Sequence, residues 1–331
     1  MEAALAPDLE ICDPHHHLWD HPTSRYLLDE LHEDTGPCHR VTSTVFVECL
    51  SAWRTDGPEA FRPVGETAFV AAQATESDER RAAGGAVIAG IVGYADLRAP
   101  EIADVLAAHV QAGEGRFRGI RQVSAWDASP DIRTSHTDPP PGLLAEAAFR
   151  SGFAALGRAG LSFDAWLYHP QLDELADLAR AHPDVPIVLD HLGGPIGIGP
   201  YAGRRGEVLD AWRAAMGRVA ACGNVALKLG GIGMPIFGLG WHRQESPASS
   251  EELAAAWGDD IRWCIDQFGV DRCMFESNFP VDRQSCSYTT LWNAFKRIAA
   301  GASPAEQGAL FHDSAVRAYR LDGRGQHGTR P

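Results

Sequence analysis

The stretch 11-ICDPHHHLWD-20 sets three consecutive histidines behind a short apolar run and an aspartate. A purification tag is usually a longer run at a terminus, so these histidines belong to the chain's own chemistry. Side chains of a strand alternate between faces, which predicts Asp13, His15 and His17 on one face and His16 on the other. An H-x-H pair on one strand aims two imidazoles at one point, as a divalent metal requires. The stretch also bears on architecture. An open doubly wound sheet expects a Gly-rich phosphate loop after its first strand. Histidines stand there instead, which favours a closed (β/α)8 barrel.

Working outward, seven more strand candidates follow: 43-STVFVECL-50, 88-IAGIVGYADL-97, 117-FRGIRQV-123, 162-SFDAWLY-168, 186-PIVLDHLG-193, 224-NVALKLG-230 and 273-CMFESNF-279. Most are continuously apolar, as parallel strands buried on both faces are. Helical patterns lie between them, among them 66–83, 171–182, 207–222 and 250–269. The last has Ser249 or Ser250 ahead of paired glutamates, an N-cap signal, and ends at Gly269. Two more helical patterns, 287–300 and 304–319, close the chain. The expected architecture is one α/β domain, a TIM barrel over 11–321, with an N-terminal extension 1–10 and a polar, Gly-rich tail 322–331 expected to be disordered. Long loops at 127–142 and 231–250 follow the fourth and seventh strands, at the ends where barrel enzymes build their sites.

Composition narrows the function classes. The 331 residues are 45% hydrophobic, enough for a large core. A net charge of -15 argues against nucleic acid and anionic membranes as partners. No apolar run is long enough to span a bilayer, and the N-terminus lacks the pattern of a secretion signal. The seven cysteines form no CxxC pair, which suits a reduced, cytoplasmic protein.

In a barrel the strand ends converge on one mouth. The first supplies Asp13, His15 and His17, the second Glu48, the third Asp96, the fourth Arg121 and Gln122. The fifth ends in Tyr168 and His169, the sixth in Asp190 and His191. The seventh carries Lys228, and the eighth Glu276 and Asn278. Lys228 inside an apolar strand is costly to bury unpaired; it serves as a metal-bridging group, a substrate carboxylate partner or an ion-pair partner of Glu276. Arg121 either clamps a substrate carboxylate or neutralises a buried Glu. His169, Tyr201 and Arg204 are further candidates for gripping an anion, and Trp19, Trp126 and Trp241 for walling an apolar pocket. Cys49 reads as a buried thiol without a base.

Taken together, DPHHHLW, IVLDHLGGP, NVALKLGG and MFESNFP, in that order, resemble the amidohydrolase superfamily. Within it the chain looks most like the amidohydrolase 2 group, which includes TIM-barrel lactonases and some non-oxidative decarboxylases. The resemblance spans residues 10 to 320. It implies a distorted (β/α)8 barrel and a divalent metal, zinc by preference, on His15, His17 and His191. The family's eighth-strand aspartate, which binds metal, accepts a proton or does both, falls on Asn278. That is a departure: an amide is no base near neutral pH, though its carbonyl oxygen can still serve a metal or a substrate. Glu276 or Glu48 then inherits the proton transfer, or metal-bound hydroxide needs no separate base.

The expectation is therefore a hydrolase acting on a small, carboxylated cyclic ester. Glu276, Asn278, Glu48 and His191 are its catalytic candidates; Lys228, Arg121, His169, Tyr201 and Arg204 bind substrate. A small anionic molecule is the expected partner, and homo-oligomerisation is left open. Two alternatives stand beside it: a decarboxylase on the same scaffold, and a metal-free binding relative, for which Asn278 is the best support.

Overall fold

The computed structural model describes residues 2–36, 38–81 and 84–321; the tail 322–331 lies outside the described residues. Eight parallel strands follow one another around the sheet in chain order: β1 (Glu10–His16), β2 (Arg40–Val47), β3 (Val87–Gly93), β4 (Phe117–Arg121), β5 (Ser162–Ala165), β6 (Ile187–Leu189), β7 (Val225–Leu229) and β8 (Cys273–Phe275). The ring closes beyond the end of β8. There Asn278 N–H donates to the His15 carbonyl (2.9 Å) and His17 N–H to that of Phe279 (2.8 Å). The seam is thus stitched by the motif residues themselves.

Helices fill the connections, among them Val64–Arg80, Leu172–Ala181, Arg205–Ala220 and Ser250–Phe268. Ser249 caps the last of these, accepting from Glu252 N–H while Glu252 reaches back to Ser249 N–H (2.8 Å). A two-stranded ribbon (Trp19–His21 with Ser24–Tyr26) follows β1. No helix among the described residues is long and apolar enough to cross a membrane.

Strand parity sorts the core into two layers. Outward residues such as Phe46, Ile120, Phe163, Leu189, Leu227 and Phe275 pack under the helices. Inward residues Cys12, Val45, Val47, Val92, Val188 and Met274 pack with Ala315, Val316 and Tyr319 of the C-terminal helix Ser314–Tyr319, which plugs the barrel.

The parity expected for β1 needs correction. Cys12 faces the interior, so Asp13 faces out, where its carboxylate accepts from Tyr288 OH and Ser277 N–H (both 2.9 Å). A register shift between Asp13 and His16 resets the alternation, and His15 turns back in. Asp13 therefore braces β1 against the β8 end rather than joining the mouth. His16 points outward as expected, against Phe46 and the Thr44 hydroxyl (3.0 Å).

Glu66, in the first turn of its helix, reaches back to the loop after β2. One carboxylate oxygen accepts from Cys49 N–H (3.0 Å) and Ser51 N–H (2.7 Å), while the other is buried without a partner. Burial, with Glu48 nearby, pushes its pKa from an ordinary 4.5 up to about 8. Across that window the folded chain holds a proton that the unfolded chain has released, so stability declines as pH rises. Glu66→Gln keeps the accepting oxygen and cannot ionise. Urea melts should show it gaining on wild type by about 1 kcal/mol per pH unit between pH 5 and 8. A pH-independent difference would refute the buried-proton assignment.

Candidate active site

Parity and strand length bring the inward polar residues to two depths. The deeper lies inside the barrel. Lys228 Nζ donates to Asp164 (2.8 Å) and sits 2.9 Å from Asp190 Oδ1, 3.2 Å from His15 Nδ1 and 4.0 Å from Glu276 Oε2. Tyr319 OH, from the plugging helix, donates to the same Asp164 oxygen. Burial disfavours the Lys228 ammonium, but Asp164, Asp190 and Glu276 outweigh it and raise its pKa. Asp164 moves the other way: burial lifts it to about 6 despite Lys228.

Arg121 joins the two depths. Its Nε donates to Glu48 Oε1 (2.8 Å) and Nη2 to the Glu48 carbonyl (2.6 Å), while Nη1 lies 3.2 Å from His15 Nε2 and 3.4 Å from Asp190 Oδ2. Burial opposes the Glu48 carboxylate, yet Arg121 and His136 hold it down to about 2.

The upper depth is the floor of the mouth. Glu276, fully buried, lies between two imidazoles: Oε1 is hydrogen-bonded to His191 Nδ1 (2.7 Å), and Oε2 lies 2.7 Å from His15 Nδ1 without completing a hydrogen bond. A carboxylate only accepts, so His191 carries its proton on Nδ1 and leaves Nε2 bare. The same logic applies to His17, whose Nδ1 meets the Val47 carbonyl (2.8 Å). Burial and Arg121 push the His17 pKa down to about 3, which keeps it neutral.

The turn that carries His191 is unusual backbone. His191, Leu192, Gly193 and Gly194 have φ of 51°, 56°, 63° and 62°, all left-handed. Trp212 Nε1–H pins the turn by donating to the Leu192 carbonyl (2.7 Å). Close approach explains the glycine pair after β7. A Cβ on Gly230 would stand 2.3 Å from Glu276 Cγ, and one on Gly231 2.7 Å from His191 Nδ1.

Above the floor opens a cavity of about 730 Å³. His17, Arg121, His191 and Asn278 line its base; Trp19, Trp166 and Tyr168 form walls. The insertion 127–142 contributes Arg133 and His136, and the insertion 231–250 contributes Met234, Pro235 and Ile236. His136 Nε2 reaches Glu48 Oε2 (3.2 Å), tying the first insertion to the strand ends.

Several expected residues sit elsewhere. Lys228 is fully buried beneath the floor and is not among the residues lining this cavity, so it is placed as the ion-pair partner of carboxylates rather than as a grip on substrate. His169 accepts from Ile196 N–H (3.3 Å) and packs on Tyr201, whose OH donates to Asp127 (2.7 Å). Arg204 is exposed and pairs with Glu207 (2.6 Å). None of these three lines the cavity; they follow strands but lean away from the axis. Asp96 pairs with Arg98 (2.9 Å) and Gln122 receives Leu97 N–H, both away from the mouth. Glu276 lies behind His191 and His15 and reaches substrate only through them. Sequence reasoning passed over Asp164, whose inward parity in an apolar strand is the same signal that marked Lys228. It also passed over Arg133, His136 and Trp166, which only the course of the loops brings in.

A metal would find donors here. His15, Asp190 and His191 each bring one ligand-type atom, all within 4.8 Å of one another. His17, expected in the ligand set, is not part of that group, and the Asp190 carboxylate enters it. Asp190 Oδ1 and Glu276 Oε2 are buried without a completed hydrogen bond. Four carboxylates (Glu48, Asp164, Asp190, Glu276) face two cations (Arg121, Lys228), all buried. Two nitrogens, an oxygen donor and an excess of negative charge fit a divalent ion of the zinc type.

A parallel eight-stranded barrel with histidines and carboxylates gathered at its C-terminal mouth has the architecture of a TIM-barrel enzyme. The chain belongs to the amidohydrolase family: the Amidohydro_2 model, described as Amidohydrolase, matches residues 12–321. It is 37% identical over 328 residues to protein y4mH of Sinorhizobium fredii, covering 95% of this chain and 99% of that one. It is 30% identical over 257 residues to an L-fucono-1,5-lactonase of Burkholderia multivorans, covering 77% of each. A crystal structure of a Burkholderia multivorans amidohydrolase with bound zinc superposes with a TM-score of 0.73 at 26% identity, covering 94% of this chain and 99% of that one.

Proposed function

We propose that the chain hydrolyses a small lactone bearing a carboxylate, adding water across the ring ester to release a hydroxy acid. The observation that carries this reading is the Glu276–His191 pair, 2.7 Å apart, with its bare imidazole nitrogen at the base of the cavity. The likeness to an L-fucono-1,5-lactonase supports the ester class.

In this mechanism His191 Nε2 takes a proton from water as the water oxygen attacks the ester carbonyl carbon. Glu276 holds Nδ1–H and stabilises the imidazolium that forms. The ring C–O bond then breaks, and His191 returns the proton to the leaving alkoxide. Arg121, fixed by Glu48 and Asp190, presents positive charge at the cavity base toward the developing oxyanion. Arg133 pairs with no carboxylate among the described residues and stands at the cavity rim, where it meets the substrate carboxylate. With a divalent ion on His15, Asp190 and His191, His191 Nε2 would be a ligand rather than the base, and the ion itself would acidify the attacking water and polarise the ester carbonyl.

The test is a panel of sugar 1,5-lactones and carboxylated lactones, followed by acid release with a pH indicator. At least one should turn over with kcat/KM above about 10⁴ M⁻¹s⁻¹. The His15→Ala/His17→Ala protein should lose at least about 100-fold, and plasma mass spectrometry should find any zinc of the wild type gone from it. Carbon dioxide release without acid would point to decarboxylation, and binding without conversion would overturn the enzymatic reading.

A further inference from the structure

Asn278 stands where the family resemblance places an aspartate, yet a carboxylate lies directly behind it. Asn278 Nδ2–H donates to Asp282 Oδ1 (2.9 Å). The other oxygen of Asp282 accepts from Gly233 N–H (2.8 Å), and Asp282 N–H returns to the Asn278 carbonyl (3.2 Å). Asp282 is fully buried and outside the lining of this cavity, whereas Asn278 lies at the cavity base. Asn278 is itself held in left-handed backbone, with φ of 56°, and its N–H is engaged by His15 in closing the barrel.

Those contacts determine which way the amide points. Both Asp282 oxygens accept here, Oδ1 from the Asn278 NH2 and Oδ2 from Gly233 N–H, so the side-chain carbonyl oxygen of Asn278 is the end left toward the cavity. The same carboxylate is anchored through Gly233 to the insertion 231–250. A Cβ on Gly233 would stand 3.0 Å from the Asp282 carboxyl, so the approach needs glycine. Asp282 therefore sets both the amide and the start of the segment that brings Met234 and Ile236 to the wall.

We propose that Asp282 is a positioning residue that locks the Asn278 amide with its oxygen toward the cavity, where that oxygen accepts a hydrogen bond from the attacking water. The water's second proton is then directed at His191 Nε2. The role of the oxygen rests on the hydrolytic reading above; the locking of the amide does not.

Two readouts keep these apart. The first needs no substrate: the side-chain amide resonances of Asn278 in an NMR spectrum of deuterated protein, assigned by their loss in Asn278→Asp. They should show a hydrogen-bonded, shifted proton in wild type that moves to ordinary values in Asp282→Asn. Unchanged resonances in Asp282→Asn would overturn the locking, whatever the substrate. The second is turnover of the lactone the wild type accepts. Asp282→Asn should lower kcat about 10–100-fold with KM within about threefold, because a partner that offers a donor as well as an acceptor lets the Asn278 amide rotate. In Asn278→Asp/Asp282→Asn the hydrogen bond persists with donor and acceptor exchanged, and either oxygen at position 278 accepts. That double variant should regain at least about tenfold over Asp282→Asn. A lower melting temperature with undiminished kcat in Asp282→Asn, or a double variant no better than the single one, would overturn the water-positioning role. A wild type that turns over no lactone, with the amide shift intact, would remove that role together with the hydrolytic reading and leave the locking.

Discussion

His191→Asn should lower kcat about 10³-fold with little change in KM. Asparagine can still donate to Glu276, so the packing of the floor survives, but the imidazole nitrogen backed by that carboxylate is gone from the cavity base. General-base assistance is worth about 10²–10⁴-fold, and His191 is the residue that presents a bare nitrogen backed by a carboxylate. The loss should appear in kcat and kcat/KM alike, since the interaction is made with the reacting water rather than with the bound lactone. Glu276→Gln should follow the same direction, because an amide can offer Nδ1 either a donor or an acceptor and no longer dictates the tautomer. Steady-state kinetics on the best lactone decides the matter. A His191→Asn enzyme within tenfold of wild type would transfer the base role to another group.

Lys228→Met carries the largest expected cost to stability, about 3–5 kcal/mol by urea unfolding at pH 7.5. Methionine fills the same volume, so the loss is electrostatic. Asp164, Asp190 and Glu276 would keep their burial and lose the ammonium that lies 2.8, 2.9 and 4.0 Å from them. The sign with pH follows. Without Lys228 the carboxylates are harder to ionise in the folded chain, so the variant should lie closer to wild type at pH 5 than at pH 8. If the single variant fails to fold, Lys228→Met/Asp164→Asn supplies the check: removing the partner as well should restore part of the loss. Equal stability of wild type and Lys228→Met would mean that the buried charges are compensated elsewhere.

Much of the mouth was legible before any coordinates. Apolar runs at regular intervals dictate parallel strands, and polar residues at their ends dictate a mouth. His15, His17, Glu48, Arg121, His191, Glu276 and Asn278 all fall within it or directly beneath it. Distance separates the alternatives for Lys228, whereas Arg121 both pairs with Glu48 and faces the cavity. Lys228 is within 4.0 Å of Glu276 and Arg121 within 2.8 Å of Glu48, so both neutralise buried carboxylates. Only coordinates could tell an ion pair from a substrate grip, since both require the same residue at the same strand end.

The misreadings have physical causes. Period-two alternation put Asp13 beside His15, but a register shift reverses the face between them. Position after a strand suggested His169, Tyr201 and Arg204, but a loop residue's direction depends on turns that sequence distance does not encode. Conversely, Arg133, Asp164, Asp282 and Tyr319 became relevant through contacts with partners far along the chain or on another element. Apolar patterning along the chain dictates the order of strands, the inward parity of most of them and the residue types delivered to one end. The packed barrel selects which donor meets which acceptor: that Glu276 lies between two histidines, that Lys228 stays below the floor, and that a carboxylate four residues on stands behind Asn278. Burial and parity are set locally and collectively by apolar patterning, whereas a 2.7–2.9 Å pairing depends on bulges, left-handed turns and glycine approaches that sum over the whole barrel.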